Sequence, residues 1–254
     1  MRICFLNPFG TAAYDELIVD VLTAGMRPDV DLTVRHLSVV PENIDYYASK
    51  HLVEVEIMRA AVAAERDGFD AFVIGCCYDP ALTQARELVG IPVIGPLEAS
   101  IAMARPFGHR FAVVTDHHKA VPEIEDRIRV YGQEANCRGV TSVGWFVDDM
   151  VLDVAAVAAD TYTTVQHAMS DLRAETIIIG CTIVSACYEQ AARNDERLAS
   201  LSVINPNLIA LKQAELFADL AAQGQYRISR GGYYQSLSAH HALEAKQLNA
   251  ILDS

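Results

Sequence analysis

Two cysteines follow similar apolar stretches of the sequence, and their thiols are the groups best suited to chemistry. Cys76 follows the stretch FVIG, and Cys181 follows the stretch IIIG. Both stretches have the length and the β-branched content of a buried strand, and a helical pattern follows each one. The two thiols are therefore predicted to lie at the carboxyl ends of parallel strands, where open α/β sheets bind their ligands.

A pair of thiols facing each other across a cleft suits the inversion of a stereocentre that carries an acidic C–H. One group removes the proton from one face of the carbon, and the other group returns a proton to the opposite face. A free cysteine has a pKa of about 8.5, and a helix N-terminus lowers it because the helix dipole favours the thiolate. We expect Cys76 and Cys181 to alternate between base and acid in this way.

An internal repeat supports the pairing of the two thiols. RICFLNP at residue 2 matches RFAVVTD at 110, FVIGC at 72 matches IIIGC at 177, and PVIGP at 92 matches SVINP at 202. The matches have the same order and nearly constant offsets of 108, 105 and 110 residues. They predict two similar lobes of about four βα units, formed by residues 1–105 and 106–207, with C-terminal helices within 208–254 completing the first lobe.

Strand-like and helix-like segments alternate along the whole chain. The predicted strands are ICFLN, LTVRHL, AFVIG and PVIG in the first half, and FAVVT, TSVGWFV, TIIIG and SVINP in the second. This alternation implies parallel sheets that helices cover on both faces. The predicted fold is α/β, with two pseudosymmetric lobes, each a four-stranded parallel sheet flanked by helices, and an active site in the cleft between them. Asp79-Pro80 is predicted to cap the helix that ends before Gly90.

Composition narrows the classes of partner. The formal net charge of −13 disfavours nucleic acid and anionic membranes, because both require clustered Lys and Arg. No segment reaches the roughly 18 apolar residues of a membrane helix, so we expect a cytoplasmic protein. We also expect a small-molecule substrate and a symmetric homo-oligomer. The six cysteines are interpreted as free thiols, with Cys4, Cys137 and Cys187 in the core.

Several motifs together resemble a known family over nearly the whole chain. They are GCCYDPAL at 75–82, GPLEA at 95–99, FAVVT at 111–115, RVYG at 129–132, GCT at 180–182 and RGGYY at 230–234. These motifs are similar to those of the hydantoin and allantoin racemases of the aspartate/glutamate racemase superfamily. The resemblance implies the two-lobed fold, a racemisation without a cofactor, and Cys76 and Cys181 as the catalytic pair. The following Asp-Pro selects Cys76 rather than Cys77.

The loops around the predicted cleft depart from the family pattern. The family's first loop reads Asn-Pro-Asn followed by Thr or Ser, whereas Phe9 stands at the third position here. Consecutive threonines usually follow the first strand of the second lobe, whereas Asp116 and His117 follow Thr115 here. The predicted substrate-binding residues are Asn7, Phe9, Gly10, Thr11, Cys77, Tyr78, Thr115, Asp116, Thr182 and Ile183. Backbone N–H groups of these loops are expected to stabilise the developing enolate.

The expected substrate is a 5-substituted hydantoin or a related cyclic amide such as allantoin. Two alternatives stay open. The same superfamily resemblance includes cofactor-free decarboxylases and a cis-trans isomerase, which act on small carboxylic acids. A two-lobed binding protein without turnover is the second alternative, although binding alone would not require both thiols.

Two further motifs suggest metal binding and a dehydrogenase site, and we reject both interpretations. The pairs His117-His118 and His240-His241 are adjacent in sequence and do not share a face, so we predict no metal site. Residues 46–50 contain the Tyr-x-x-x-Lys spacing of short-chain dehydrogenases, but no glycine-rich dinucleotide loop accompanies it. We predict instead that Tyr46 and Tyr47 lie in a loop after the second strand, where they could close on the substrate.

Overall fold

A computed structural model describes residues 1–41 and 44–252 of the chain. Within these residues the chain forms eight strands in two sheets. The strands are β1 (Arg2–Asn7), β2 (Asp31–His36), β3 (Ala71–Ile74), β4 (Val93–Ile94), β5 (Phe111–Thr115), β6 (Cys137–Ser142), β7 (Thr176–Ile179) and β8 (Val203–Ile204). The sheet orders are β2-β1-β3-β4 and β6-β5-β7-β8, with all neighbours parallel. The predicted α/β fold with two four-stranded parallel sheets is confirmed.

Helices connect the strands within each sheet. The α-helices are α1 (Asp15–Gly25), α2 (Tyr47–Arg66), α3 (Leu82–Leu88), α4 (Pro96–Met103), α5 (Ala120–Val130), α6 (Val147–Met150), α7 (Val154–Asp171), α8 (Thr182–Ala192), α9 (Glu196–Ala199), α10 (Pro206–Ala222) and α11 (Ala242–Leu252), with a 3-10 helix at Leu237–Ala239. The inner strands β3, β5 and β7 are entirely buried because helices cover both faces of each sheet. None of the helices in the described ranges combines the length and apolar character needed to cross a bilayer.

The two C-terminal helices contact elements that belong to the first half of the chain. Helix α10 packs against α1, α4 and the strands β3 and β4, and it also contacts α8. Helix α11 packs against α2. The exact division into residues 1–105, 106–207 and 208–254 stays a prediction.

Asp79 caps a different helix from the one predicted. Asp79 has a φ of +47°, and α3 begins only at Leu82. The Asp79 carboxylate instead accepts hydrogen bonds from the N–H groups of Leu97 (3.1 Å) and Glu98 (2.8 Å), in the first turn of α4. The Tyr131 hydroxyl also donates to it, at 2.6 Å. A side chain that caps a helix 17 residues away depends on tertiary packing, which a local sequence pattern does not contain.

The predicted strand TSVGWFV is displaced from the observed strand. Strand β6 ends at Ser142, and Gly144 adopts a φ of +91° that turns the chain out of the sheet. The N–H groups of Gly144 and Trp145 then donate to the carbonyl of Asp116, at 2.7 and 3.1 Å. The segment after β6 is thereby tied to the loop after β5, close to the site described next.

Candidate active site

Cys76 and Cys181 lie at equivalent points of the two sheets and line one cavity. Each follows a glycine at the carboxyl end of an inner strand, β3 for Cys76 and β7 for Cys181. The cavity is lined by Phe9, Ile44, Asp45, Cys76, Cys77, Tyr78, Asp116, Val147, Gly180, Cys181 and Thr182. Its free volume is about 10 Å³, which is about the room that one water molecule needs. A five-membered ring compound is several times larger, so binding one here would require the walls to separate.

The glycine before each cysteine allows the strands to approach closely at this point. The Gly75 N–H donates to the Leu6 carbonyl at 2.7 Å, and the Gly180 N–H donates to the Val114 carbonyl at the same distance. A Cβ on Gly75 would lie 2.6 Å from the Leu6 carbonyl oxygen, and a Cβ on Gly180 would lie 2.5 Å from a methyl of Val113. The position before each cysteine therefore accepts only glycine unless neighbouring atoms move.

The two strand ends are joined directly by a hydrogen bond. The Thr182 hydroxyl donates to the Gly75 carbonyl at 2.9 Å, so the residue after one cysteine contacts the residue before the other. The side chain of Asn207 donates to the Thr182 carbonyl at 2.8 Å. These contacts hold the two cysteine-bearing loops against each other.

The expected lowering of the thiol pKa is wrong for this structure. A backbone N–H group does favour each thiolate, from Tyr78 for Cys76 and from Val184 for Cys181. Burial has the larger effect, and it raises the pKa of both thiols above the ordinary value for cysteine. Asp116 raises the pKa of Cys181 further through its negative charge. Both thiols are therefore held in the neutral form near pH 7.

A second group of polar side chains forms one wall of the cavity. The Tyr78 hydroxyl lies 3.1 Å from both carboxylate oxygens of Asp116 and 3.3 Å from Nε2 of His117. The same His117 nitrogen lies 3.1 Å from Oδ1 of Asp45. Oδ2 of Asp45 accepts from the Val147 N–H at 3.0 Å, which links this group to the segment after β6. We call Asp45, Tyr78, Asp116 and His117 the acidic cluster.

Three members of the acidic cluster could hold a cation. One ligand atom from each of Asp45, Asp116 and His117 lies within 4.8 Å of the other two, and all three residues are buried. Two carboxylates and an imidazole suit several divalent metals. The group contains His117 but not His118, so the argument that two adjacent histidines cannot share a metal does not apply to it. The prediction of no metal stays a prediction.

Residues 46–50 also lie near the site, but in helical structure. Helix α2 begins at Tyr47, so the predicted loop is wrong at this position. The Tyr47 hydroxyl donates to the Lys119 carbonyl at 3.1 Å, across to the loop before α5. The Lys50 ammonium lies 3.8 Å from the ring centroid of Tyr78 and forms an ion pair with Glu123. Packing of this helix start against the second half of the chain closes one side of the site.

The structure brings together seven of the residues predicted for the site. They are Phe9, Cys76, Cys77, Tyr78, Asp116, Cys181 and Thr182, all on the cavity wall. Thr115 lies one step behind the wall, where its hydroxyl lies 3.0 Å from both the Asp116 carboxylate and the Gly180 carbonyl. The sulfur of Cys77 lies 3.9 Å from the Ile179 carbonyl, between the two sheets.

Besides Thr115, four predicted residues do not line this cavity. They are Asn7, Gly10, Thr11 and Ile183. The Asn7 side chain donates to Asp15 at 2.6 Å, and the Thr11 hydroxyl accepts from the Ala13 N–H at 3.2 Å, so both fix the first loop and the start of α1. Their assignment to substrate binding stays untested.

Sequence reasoning missed three polar residues around the cavity. Asp45 lies just before a helix and carries no motif, and His117 drew attention only as half of a histidine pair. Lys50 belonged to a spacing that was rejected for a different enzyme class. The shared signal is the position of Asp45 and His117 in loops that follow strands β2 and β5, whose carboxyl ends face the site.

The two parallel sheets flanked by helices make this an α/β protein, and the two thiols at one cavity are its candidate catalytic pair. Comparison with known proteins gives the family. The family model described as Asp/Glu/Hydantoin racemase matches residues 3–214. The chain belongs to this family, and it is an isomerase of the racemase type.

Similar proteins cover most of the chain. A hydantoin racemase of Pseudomonas sp. (strain NS671) is 28% identical over 220 residues, which are 87% of each chain. A hydantoin racemase of Rhizobium meliloti is 27% identical over 215 residues, covering 85% of this chain and 88% of the relative. The crystal structure of an allantoin racemase from Pseudomonas fluorescens superimposes with a TM-score of 0.82 and 25% identity, covering 93% of this chain and 97% of that one.

Proposed function

We propose that the protein is a cofactor-independent racemase or epimerase of a 5-substituted hydantoin or a related cyclic amide such as allantoin. The main support is the placement of Cys76 and Cys181, which line one cavity from corresponding strand ends of the two sheets. Relatives named as hydantoin racemases support the same substrate class.

In the proposed reaction the acidic carbon of the substrate lies between the two sulfurs. The thiolate of one cysteine removes the proton and becomes a thiol, and the thiol of the other donates its proton to the opposite face and becomes a thiolate. The two cysteines exchange roles when the reverse reaction runs. No group other than the two thiols and the carbon needs to change its protonation state.

Backbone donors are needed because the carbon is a weak acid. Every unit by which its pKa exceeds that of the thiol adds about 1.36 kcal/mol to the barrier, so the enolate oxygen requires donors that are already in place. The N–H groups of Thr182 and Ile183 open helix α8, where the first N–H groups lack intrahelical acceptors. We propose that they stabilise the enolate, together with the N–H of Cys77.

The charge of the cavity wall favours a neutral substrate over a carboxylate. Asp45 and Asp116 line the cavity, whereas no Lys or Arg is among the described residues that do so. A small carboxylic acid, which the alternative decarboxylase or cis-trans isomerase would take, would place its charge beside these two carboxylates. A cyclic amide carries no such charge.

The test follows the C–H signal of enantiopure 5-substituted hydantoins, allantoin, free amino acids and malonates by proton NMR in deuterated water, together with optical rotation. We expect a hydantoin or allantoin to lose its C–H signal while optical rotation decays. Loss of a carboxyl group from a malonate would point to the decarboxylase, and exchange with none of the compounds would contradict the proposal.

Three cysteine variants separate the two-thiol scheme from a single base. Cys76→Ser and Cys181→Ser should fold and lose interconversion of the enantiomers, while each keeps exchange for the one enantiomer that the remaining thiol faces. Cys137→Ser is the matched control, because Cys137 lies in β6 away from the cavity. Full racemisation by either active-site variant would refute the two-thiol scheme.

A further inference from the structure

The acidic cluster has an arrangement that the two-thiol chemistry does not explain. Asp45 and Asp116 are both buried on the cavity wall, and His117 lies between them. The Lys50 ammonium lies over the ring of Tyr78 and forms its ion pair with Glu123 rather than with Asp116. The wall therefore presents acceptors to whatever occupies the cavity.

The hydrogen bonds of the cluster indicate where its protons lie. Nε2 of His117 lies 3.1 Å from Oδ1 of Asp45 and 3.3 Å from the Tyr78 hydroxyl, so this ring nitrogen faces both groups. Nδ1 of His117 is buried and has no hydrogen-bond partner among the described residues. A hydrogen on Nδ1 would be a buried donor without a partner, so the geometry favours Nε2 as the nitrogen that takes part in hydrogen bonding.

Asp116 has one oxygen with acceptor capacity left. Its Oδ1 accepts from the His117 N–H at 2.9 Å and lies within hydrogen-bond distance of the hydroxyls of Thr115 (3.0 Å) and Tyr78 (3.1 Å). Its Oδ2 is approached only by the Tyr78 hydroxyl, at 3.1 Å, among the described residues. Burial raises the pKa of Asp116, and the nearby His117 and the donors directed at the carboxyl lower it in part. A carboxylate oxygen can accept two hydrogen bonds, so Oδ2 has room for one more.

We propose that Asp116 is a specificity-determining residue, which accepts a hydrogen bond from a ring N–H of the substrate and thereby selects cyclic amides over carboxylates. This inference rests on the proposed racemase function and assigns its substrate preference to one side chain. Tyr78 and Thr115 orient the carboxylate, and the second carboxylate, Asp45, adds to the repulsion of anions. Asp116 and Cys181 line the same small cavity, so a ring N–H bound to Asp116 keeps the neighbouring carbon close to the thiols.

The test compares a 5-substituted hydantoin with two analogues that each lack one N–H. In the 5-substituted oxazolidine-2,4-dione a ring oxygen replaces the N–H beside the acidic carbon, without added bulk. In the N3-methyl hydantoin the imide N–H is replaced. For the natural sequence we expect kcat/KM to fall about 10- to 100-fold with one of the two analogues, the range for a hydrogen bond to a charged group.

Two variants and a control complete the test. Asp116→Asn removes the charge and keeps the size, and Asp116→Thr is a second choice if the first fails to fold. Both should lower kcat/KM for the parent hydantoin about tenfold or more, and both should lose less than the natural sequence when the critical N–H is absent, because a neutral acceptor binds an N–H more weakly than a carboxylate does. Asp126→Asn is the control, because Asp126 is exposed on α5 and, within the described ranges, forms its ion pair with Arg129. Inhibition by a malonate should strengthen in the Asp116 variants, which a merely structural role of Asp116 would not produce.

The possible results distinguish a failure of the proposed role of Asp116 from a failure of the proposed racemase function. If the natural sequence racemises the hydantoin, and neither analogue nor either Asp116 variant changes kcat/KM, the role of Asp116 is refuted while the racemase function stands. If the variants lower the rate of every compound by the same factor, Asp116 does not recognise an N–H and the inference is likewise overturned. If the natural sequence racemises no hydantoin at all, the proposed function fails first.

Discussion

Replacing Gly75 with alanine tests whether the close approach of β1 and β3 positions the thiol of Cys76. The added Cβ would lie 2.4 Å from a ring carbon of Phe5 and 2.6 Å from the carbonyl oxygen of Leu6. Ordinary contacts between such atoms are about 3.5 Å, so about 1 Å of movement is required. Phe5 is fully buried, and the Leu6 oxygen belongs to the backbone of a central strand. The chain at Gly75 therefore has to move, and Cys76 moves with it.

The expected magnitudes follow from this displacement. Inserting a methyl group into a closely packed site costs about 1 to 3 kcal/mol of the free energy of unfolding. A shift of about 1 Å in a reacting group costs about 100-fold in rate. We therefore expect Gly75→Ala to lose about 100-fold in kcat/KM, with the thiol still present and the protein still folded.

Two other glycine substitutions calibrate the result. In Gly180→Ala the Cβ would meet one methyl of Val113 at 2.5 Å, and the nearest backbone atom is 3.7 Å away, so a smaller loss is expected. In Gly231→Ala the Cβ would have no neighbour within 4 Å, so no change is expected. The free energy of unfolding is measured by urea denaturation, and kcat/KM is measured by the decay of optical rotation. A Gly75→Ala protein as stable and as active as the natural one would refute the argument.

Three further outcomes are expected. Because burial raises the pKa of Cys76 and Cys181, kcat/KM should rise from pH 7 to pH 9 after subtraction of the uncatalysed rate, and a flat profile would contradict neutral resting thiols. Burial raises the pKa of Asp79 to about 6, whereas an aspartate in the unfolded chain has a pKa near 4. The protonated form of Asp79 therefore stabilises the folded protein below about pH 4, and this stabilisation is lost as the pH rises through about 6. The unfolding free energy of Asp79→Asn should therefore depend less on pH in this window, by roughly 3 kcal/mol across it, and an unchanged slope in urea denaturation would refute the assignment. Dialysis against EDTA should leave racemisation unchanged, since proton transfer between thiols and carbon needs no metal, and activity that returns only with added metal would show that the acidic cluster binds a catalytic ion.

Much of the fold was predictable because its determinants are local and repeated. Apolar runs bounded by turn residues predicted all eight strands of the described chain, and the near-constant offset of the repeats predicted two equivalent sheets. The one displaced strand, TSVGWFV, continued past Ser142 because its apolar residues look like a strand. The turn at Gly144 depends on acceptor positions in another loop, which periodicity does not record.

The sequence by itself determined the placement of Cys76 and Cys181, because a glycine and a cysteine after a buried strand carry their structural context with them. The tertiary structure alone decided three other features: the pairing of Asp45 with His117, the capping of α4 by Asp79, and the direction of the thiol pKa shifts. Each of these depends on groups far apart in the chain that meet in a buried place. Desolvation depends on burial, and hydrogen bonds between distant residues depend on the distance between them in the folded chain. Neither quantity can be obtained from the local order of the residues.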